Sequence, residues 1–118
     1  MNRNWEIEFF SEADETCEIE DWLIKLKMAQ RDKVIAWIDK LQELGPLLPR
    51  PYGDLLRDGI HELRSKISSN QVRILYFFVY EHSIVLTHPF YKHVSKVPDK
   101  EINKAMRIRE EYIKRSKR

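Results

Sequence analysis

Residues 72–80 form a nearly unbroken apolar run, interrupted only by Arg73. Such a run, rich in β-branched and aromatic residues, is typical of a strand that is buried on both faces in the middle of a sheet. Two further β-rich runs, Ile60 to Ile67 and Ser83 to Phe90, lie only a few residues away on either side. The short separators predict antiparallel hairpins, so these three strands form the centre of an antiparallel sheet.

The N-terminal part predicts one more strand followed by helices. Residues from Trp5 to Phe10 alternate apolar and acidic side chains, which indicates a half-buried strand. Ser11 and Asp14 have the spacing of a capping box, which predicts that a helix begins at Ser11. Apolar residues then recur every three or four positions as far as Leu44, and Gly45 and Pro46 provide a stop. We expect two helices here, as an antiparallel hairpin or a kinked pair.

Two segments complete the chain. Residues 45–58 hold three of the five prolines, so we expect an irregular connection. Pro98, followed by Asp99 and Glu101, favours the start of a last helix. The predicted fold class is therefore α+β: an antiparallel sheet of about four strands, a helix pair after the first strand and a C-terminal helix.

The composition predicts one globular domain over residues 1–118. The chain has 42% hydrophobic and 34% charged residues, and its only cysteine, Cys17, has no partner for a disulfide or a thiolate metal site. It has no signal-peptide pattern and no apolar run long enough to span a membrane. We therefore expect a cytoplasmic protein without membrane contact, metal or cofactor.

The net charge of +2 hides an uneven distribution. Residues 1–63 hold 14 acidic and 8 basic side chains, whereas residues 64–118 hold 5 acidic and 13 basic ones. Such asymmetry favours a surface that binds a polyanion slightly over one that is merely solvated.

Two arginines are predicted to face each other. If the first hairpin turns at residues 67–70, a simple antiparallel register places Arg64 directly opposite Arg73. Opposed guanidinium groups suit a phosphate well. Glu62 lies on the same face and can pair with either arginine, so a surface salt-bridge cluster is an equally good interpretation at this point.

The segment from His88 to Lys96 combines two lysines, two histidines and two aromatic residues. Lysine contacts phosphates, aromatic rings stack on unpaired bases, and histidine transfers protons near neutral pH, so the segment suits single-stranded RNA. An ordinary solvated turn is the competing interpretation. The three tryptophans, Trp5, Trp22 and Trp37, lie on the inferred apolar faces and are expected in the core. The sequence has no Gly-rich phosphate loop, so nucleotide-dependent chemistry is not expected.

Three segments, in order and correctly spaced, resemble the phage-derived, HigB-like branch of the RelE/ParE toxin superfamily. Residues 56–64 resemble the family's strand ending in Glu-Leu-Arg, and residues 72–78 its Arg-Ile-x-Tyr-Phe strand. Residues 84–98 resemble its final strand, its His-x-Phe-x-Lys edge and the Lys-x-Pro start of its last helix. The similarity covers almost the whole chain.

This resemblance implies the toxin of a type II toxin–antitoxin system, a metal-independent endoribonuclease that cuts messenger RNA on the ribosome through the substrate's own 2′-hydroxyl. It also implies a helix-turn-helix antitoxin as partner. By motif position Arg64 and Arg73 hold the scissile phosphate, and Lys92 assists. His93 replaces the second lysine of the usual pair, so the acid and base stay open among His88, His93 and Tyr91. The predicted catalytic residues are Arg64, Arg73, Lys92, His88 and His93. The predicted RNA-binding residues are Lys66, Tyr91 and Lys96.

Two alternatives remain from the sequence. A ParE-like gyrase inhibitor shares the fold but needs no phosphate-cleaving residues, and a non-catalytic phage RNA-binding module needs only the basic surface. The combination of Arg64, Arg73 and Lys92 favours the nuclease.

Overall fold

The computed structural model describes residues 5–79 and 82–117, which form a five-stranded sheet and three α-helices. The predicted α+β class is confirmed, and the arrangement is broadly RelE-like. The elements, in chain order, are β1 (Glu6–Phe9), α1 (Glu18–Lys25), α2 (Met28–Leu44), β2 (Gly53–Arg57), β3 (Ile60–Ile67), β4 (Asn70–Val79), β5 (Ser83–Lys92) and α3 (Asp99–Ser116).

The sheet order is β1-β5-β4-β3-β2. The apolar β4 lies at its centre, as predicted, although Tyr80 and Glu81, the predicted strand end and turn, lie outside the described residues. The strands from β2 to β5 pair antiparallel, whereas β1 pairs parallel to β5, so the sheet is mixed rather than purely antiparallel.

Two predictions about the connections were wrong. The segment before β3 is not wholly irregular, because Gly53 to Arg57 forms the edge strand β2 with a register shift between Leu55 and Arg57. The first helix begins at Glu18 and not at Ser11. The Asp14 carboxylate accepts hydrogen bonds from the backbone N–H and hydroxyl of Thr16, and this local turn replaces a helical start.

Each face of the sheet has its own apolar cluster. Helices α1 and α2 cover one face, where Ile19, Ile38, Leu63 and Ile74 pack. Helix α3 covers part of the other face, where its Ile108 packs in a cluster with Ile60, Leu75, Phe77 and Val85. We call the first the helix-pair face and the second the α3 face. None of the described helices is long and apolar enough to cross a bilayer.

Candidate phosphate-binding site on the α3 face

Arg64 and Arg73 are partners across the β3–β4 ladder. The predicted register is therefore confirmed. Residues that oppose each other in an antiparallel pair have side chains on the same face, so both guanidinium groups belong to the α3 face. The sheet itself thus brings two positive charges together.

Glu62 lies between the two arginines. Its two carboxylate oxygens accept hydrogen bonds from Arg73 Nε at 2.9 Å and from Arg64 Nε at 3.2 Å. Glu62 is 3% exposed and Arg73 5%, so the carboxylate compensates a buried cation. Because one carboxylate serves two guanidinium groups, the cluster keeps a net positive charge.

Arg73 donates further hydrogen bonds besides the one to Glu62. Its Nη1 donates to the backbone carbonyl oxygen of Val72 at 3.0 Å and to the side-chain oxygen of Gln71 at 3.4 Å. Burial lowers the pKa of the Arg73 guanidinium below its ordinary value, and the charge of Glu62 opposes this shift. Arginine remains protonated despite such a shift, so Arg73 is a fixed positive charge.

Arg64 is the accessible member of the pair. About a third of its side chain is exposed, and within the described ranges only its Nε donates a side-chain hydrogen bond. Its two terminal nitrogens are therefore available to an anion, in the fork geometry that suits phosphate.

Lysines extend the positive surface on this face. Lys66 pairs with Gln71 in the β3–β4 ladder, and Lys92 pairs with the same residue from β5. Lys66 is exposed, whereas Lys92 is half-buried and donates from Nζ to the carbonyl oxygen of Ser95 at 3.0 Å. The structure thus brings Lys66 and Lys92 to the arginine face, on either side of Gln71.

The turn after β5 carries the other predicted basic residues. His93 and Lys96 are both exposed and lie between β5 and α3. The Lys92 contact to Ser95 closes this turn beside the sheet. His93 is therefore a proton-transfer candidate that solvent and substrate can reach.

His88, by contrast, is not on the open surface. It is 1% exposed, its Nε2 lies 3.0 Å from Glu101 Oε1, and its Nδ1 lies 2.9 Å from the Thr87 hydroxyl. Burial lowers the pKa of the imidazole, although the hydrogen bond to Glu101 opposes the shift. The structure corrects the view of His88 as a group on an RNA-facing edge, because α3 covers it.

Tyr91 lies on the opposite side of the sheet from the arginines. It pairs with Val72, a core residue of the helix-pair face, and its hydroxyl accepts a hydrogen bond from Trp22 Nε1 at 3.1 Å. Strand alternation produces this result, because β5 continues to Lys92 and places positions 90 and 92 on one face and 91 on the other. Tyr91 is thus separated from the site formed by Arg64, Arg73 and Lys92.

The arrangement can bind and stabilise a phosphate without a metal ion. The described residues contain no group of three His, Cys, Asp or Glu side chains placed to hold a metal ion. Fixed guanidinium groups on a rigid sheet can stabilise the charge that develops on a phosphodiester during transfer. Sequence reasoning identified Glu62 as a possible partner but missed Gln71, whose place opposite Lys66 in the same register was the available signal.

A comparison of the chain with curated proteins finds no match. Residues 21–110 match the sequence profile of a family described as phage-derived protein Gp49-like. This match begins within α1 and extends through most of α3, and it includes every strand that contributes to the arginine site. The chain therefore belongs to the phage-derived Gp49-like family, a member of the RelE/ParE-like toxin superfamily.

Proposed function

We propose that this protein is the toxin of a type II toxin–antitoxin pair, of the HigB-like kind, and that it cleaves messenger RNA on the ribosome. The observation that carries the proposal is the exposed guanidinium end of Arg64 beside the buried Arg73, both oriented by Glu62. The family membership supports a toxin, and the positive surface supports an RNA substrate.

In the proposed reaction the 2′-hydroxyl oxygen of the substrate attacks the adjacent phosphorus, and the bond from phosphorus to the 5′-oxygen breaks. The products are a 2′,3′-cyclic phosphate and a 5′-hydroxyl end. Arg64 contacts the non-bridging oxygens, and Arg73 adds fixed positive charge behind it, so both favour the more highly charged transition state.

Proton transfer requires a base for the 2′-hydroxyl and an acid for the leaving oxygen. His93 and Lys92 are our candidates because they adjoin the arginine face. His88 is left out of this role because α3 buries it, and Tyr91 because it belongs to the opposite face.

A positive surface of this kind can be masked by a protein partner. We propose that a helix-turn-helix antitoxin covers the α3 face near Arg64 and that the free toxin acts in the cytoplasm on translating ribosomes.

The proposal is tested by mapping messenger RNA 5′ ends after brief induction of the wild type, of Arg64→Ala and of Arg107→Ala. Arg107 is an exposed arginine of α3 outside the site, so it is the matched control. New ends within translated codons are expected for the wild type and Arg107→Ala and not for Arg64→Ala. Growth arrest with DNA damage and without new RNA ends would instead identify a gyrase inhibitor.

A further inference from the structure

A cavity opens beside the arginines at the edge of the sheet. Strand β2 pairs with β3 only as far as Leu63, so the following residues of β3 are at the edge in the described part of the chain. The cavity formed there has a volume of about 340 Å³, within the range of small-molecule sites. Its lining includes Trp37, Pro51, Arg64, Ser65, Lys66 and Arg73.

The charged side chains that line the cavity are all positive. Arg64, Lys66 and Arg73 contribute three cations, and the lining contains no carboxylate residue. Glu62 compensates part of this charge from outside the cavity. The cavity therefore favours an anionic ligand.

One side of the cavity is aromatic. Trp37, expected from the sequence to be a core residue, packs against the helix-pair core but is only half-buried, and it lies in the lining. Its ring is 4.7 Å from that of Tyr52, and Lys40 Nζ lies 4.9 Å from the centre of the Tyr52 ring. The carbonyl oxygen of Tyr52 accepts a hydrogen bond from the backbone N–H of Arg64 at 2.8 Å. The aromatic pair is thus fixed next to the phosphate-binding residue.

A buried polar group lies in the same lining. The Ser65 hydroxyl has no hydrogen-bond partner within the described residues, although the residue is only 7% exposed. Buried hydroxyl groups are normally paired, whereas this one, which lies opposite Val72 on the helix-pair side of β3, is not.

We propose that this cavity is a nucleotide subsite, in which one unpaired RNA base stacks on Trp37 while its adjoining phosphate binds Arg64 and Lys66. The inference rests on the proposed function for the identity of the ligand as RNA. Stacking on an aromatic ring is tolerant of sequence because every base has a flat face. Trp37 therefore strengthens binding of any base and does not read a codon.

The test uses a short RNA with 2′-O-methyl groups, which cannot be cleaved, and the same oligonucleotide with one abasic position. The full-length wild type is expected to bind the intact oligonucleotide roughly 5- to 100-fold more tightly than the abasic one, as stacking energies imply. Trp37→Ala should lose this preference while binding the abasic RNA as the wild type does, and Trp37→Phe should keep most of it.

Tryptophan fluorescence provides a second measurement that does not depend on the alanine variant folding. The intact RNA is expected to quench emission of the wild type, and the quench should disappear in Trp37→Phe. The proposed subsite is overturned if Trp37→Ala loses affinity for both RNAs equally or if neither RNA binds. It is also overturned if an acidic peptide binds and its affinity, unlike that of the RNA, depends on Trp37. The binding assay uses RNA that cannot be cleaved and contains no ribosome, so it is independent of nuclease activity. If the protein prefers the intact RNA here but cuts no messenger RNA in cells, the proposed nuclease is refuted and the nucleotide subsite is not.

Discussion

The Nε of Arg73 and a carboxylate oxygen of Glu62 lie 2.9 Å apart, and both side chains are almost completely buried. Glu62 also accepts a hydrogen bond at 3.2 Å from Arg64, about a third of whose side chain is exposed. The carboxylate therefore has two tasks, because it compensates a buried charge and orients an accessible one. These tasks are separable by experiment.

Replacing Glu62 by glutamine should destabilise the protein strongly. The change leaves Arg73 buried without its counter-charge, which typically costs about 3 kcal/mol or more of unfolding free energy. Urea unfolding measures this loss. Glu111→Gln is the control, because Glu111 forms a half-exposed pair with Arg115 and should cost less than about 1 kcal/mol. A Glu62→Gln protein as stable as this control would refute a compensating role for Glu62.

Arg64→Ala and Arg73→Ala should differ in what they lose. Arg64 is partly exposed, so its removal should reduce RNA binding and cleavage while changing the unfolding free energy by about 1 kcal/mol or less. Arg73 is buried, so its removal should lower both stability and activity, because it leaves Glu62 unpaired. Urea unfolding together with oligonucleotide binding separates the two effects. Equal loss of stability in both variants would contradict this division.

Gly45→Ala should be much more damaging than Gly59→Ala. Gly45 ends α2 with φ of 54°, and an added Cβ would lie 2.2 Å from the Trp5 indole nitrogen. Gly59 also has a positive φ, but its added Cβ would meet only the guanidinium end of the Arg109 side chain at 3.0 Å. We expect a loss of about 1 kcal/mol at Gly59 and of at least about 2 kcal/mol at Gly45. Thermal or urea unfolding measures both losses of unfolding free energy. Equal losses would contradict the close packing of Gly45 against Trp5.

Stability should fall as the solution is acidified from pH 7.5 to 5.5. Burial lowers the pKa values of His88 and His61 in the folded protein, so the unfolded chain binds more protons below its usual pKa of about 6.5. The stabilisation is fully present above that pH and decreases as the pH falls. Each histidine contributes at most about 1.4 kcal/mol per pH unit. His88→Gln and His61→Gln should each reduce the slope of the unfolding free energy against pH. If the slope is unchanged in both variants, burial of these histidines does not cause the pH dependence.

The sequence was sufficient where local pattern and pairing geometry determine the outcome. The apolar run of β4 predicted the centre of the sheet, and a tight turn predicted that Arg64 faces Arg73. The same alternation predicted that Glu62 shares their face.

Features that depend on distant parts of the chain were missed. Strand β2 forms because it can pair with the edge of β3, although the proline and glycine residues near it disfavour a strand. The burial of His88 depends on where α3 packs, and the parallel pairing of β1 depends on the path of both helices. The cavity at Trp37 requires α2, β3 and the turn at Pro51 to meet, which no local pattern specifies.

Ribosome-dependent cleavage can be measured with purified ribosomes that hold a defined messenger RNA, incubated with the wild type, Arg64→Ala or the control Arg107→Ala. We expect cleavage by the wild type and the control, ends bearing a 2′,3′-cyclic phosphate, and resistance of a messenger RNA with a 2′-deoxy group at the cleaved position. Cleavage of the deoxy substrate, or full cleavage by Arg64→Ala, would contradict it.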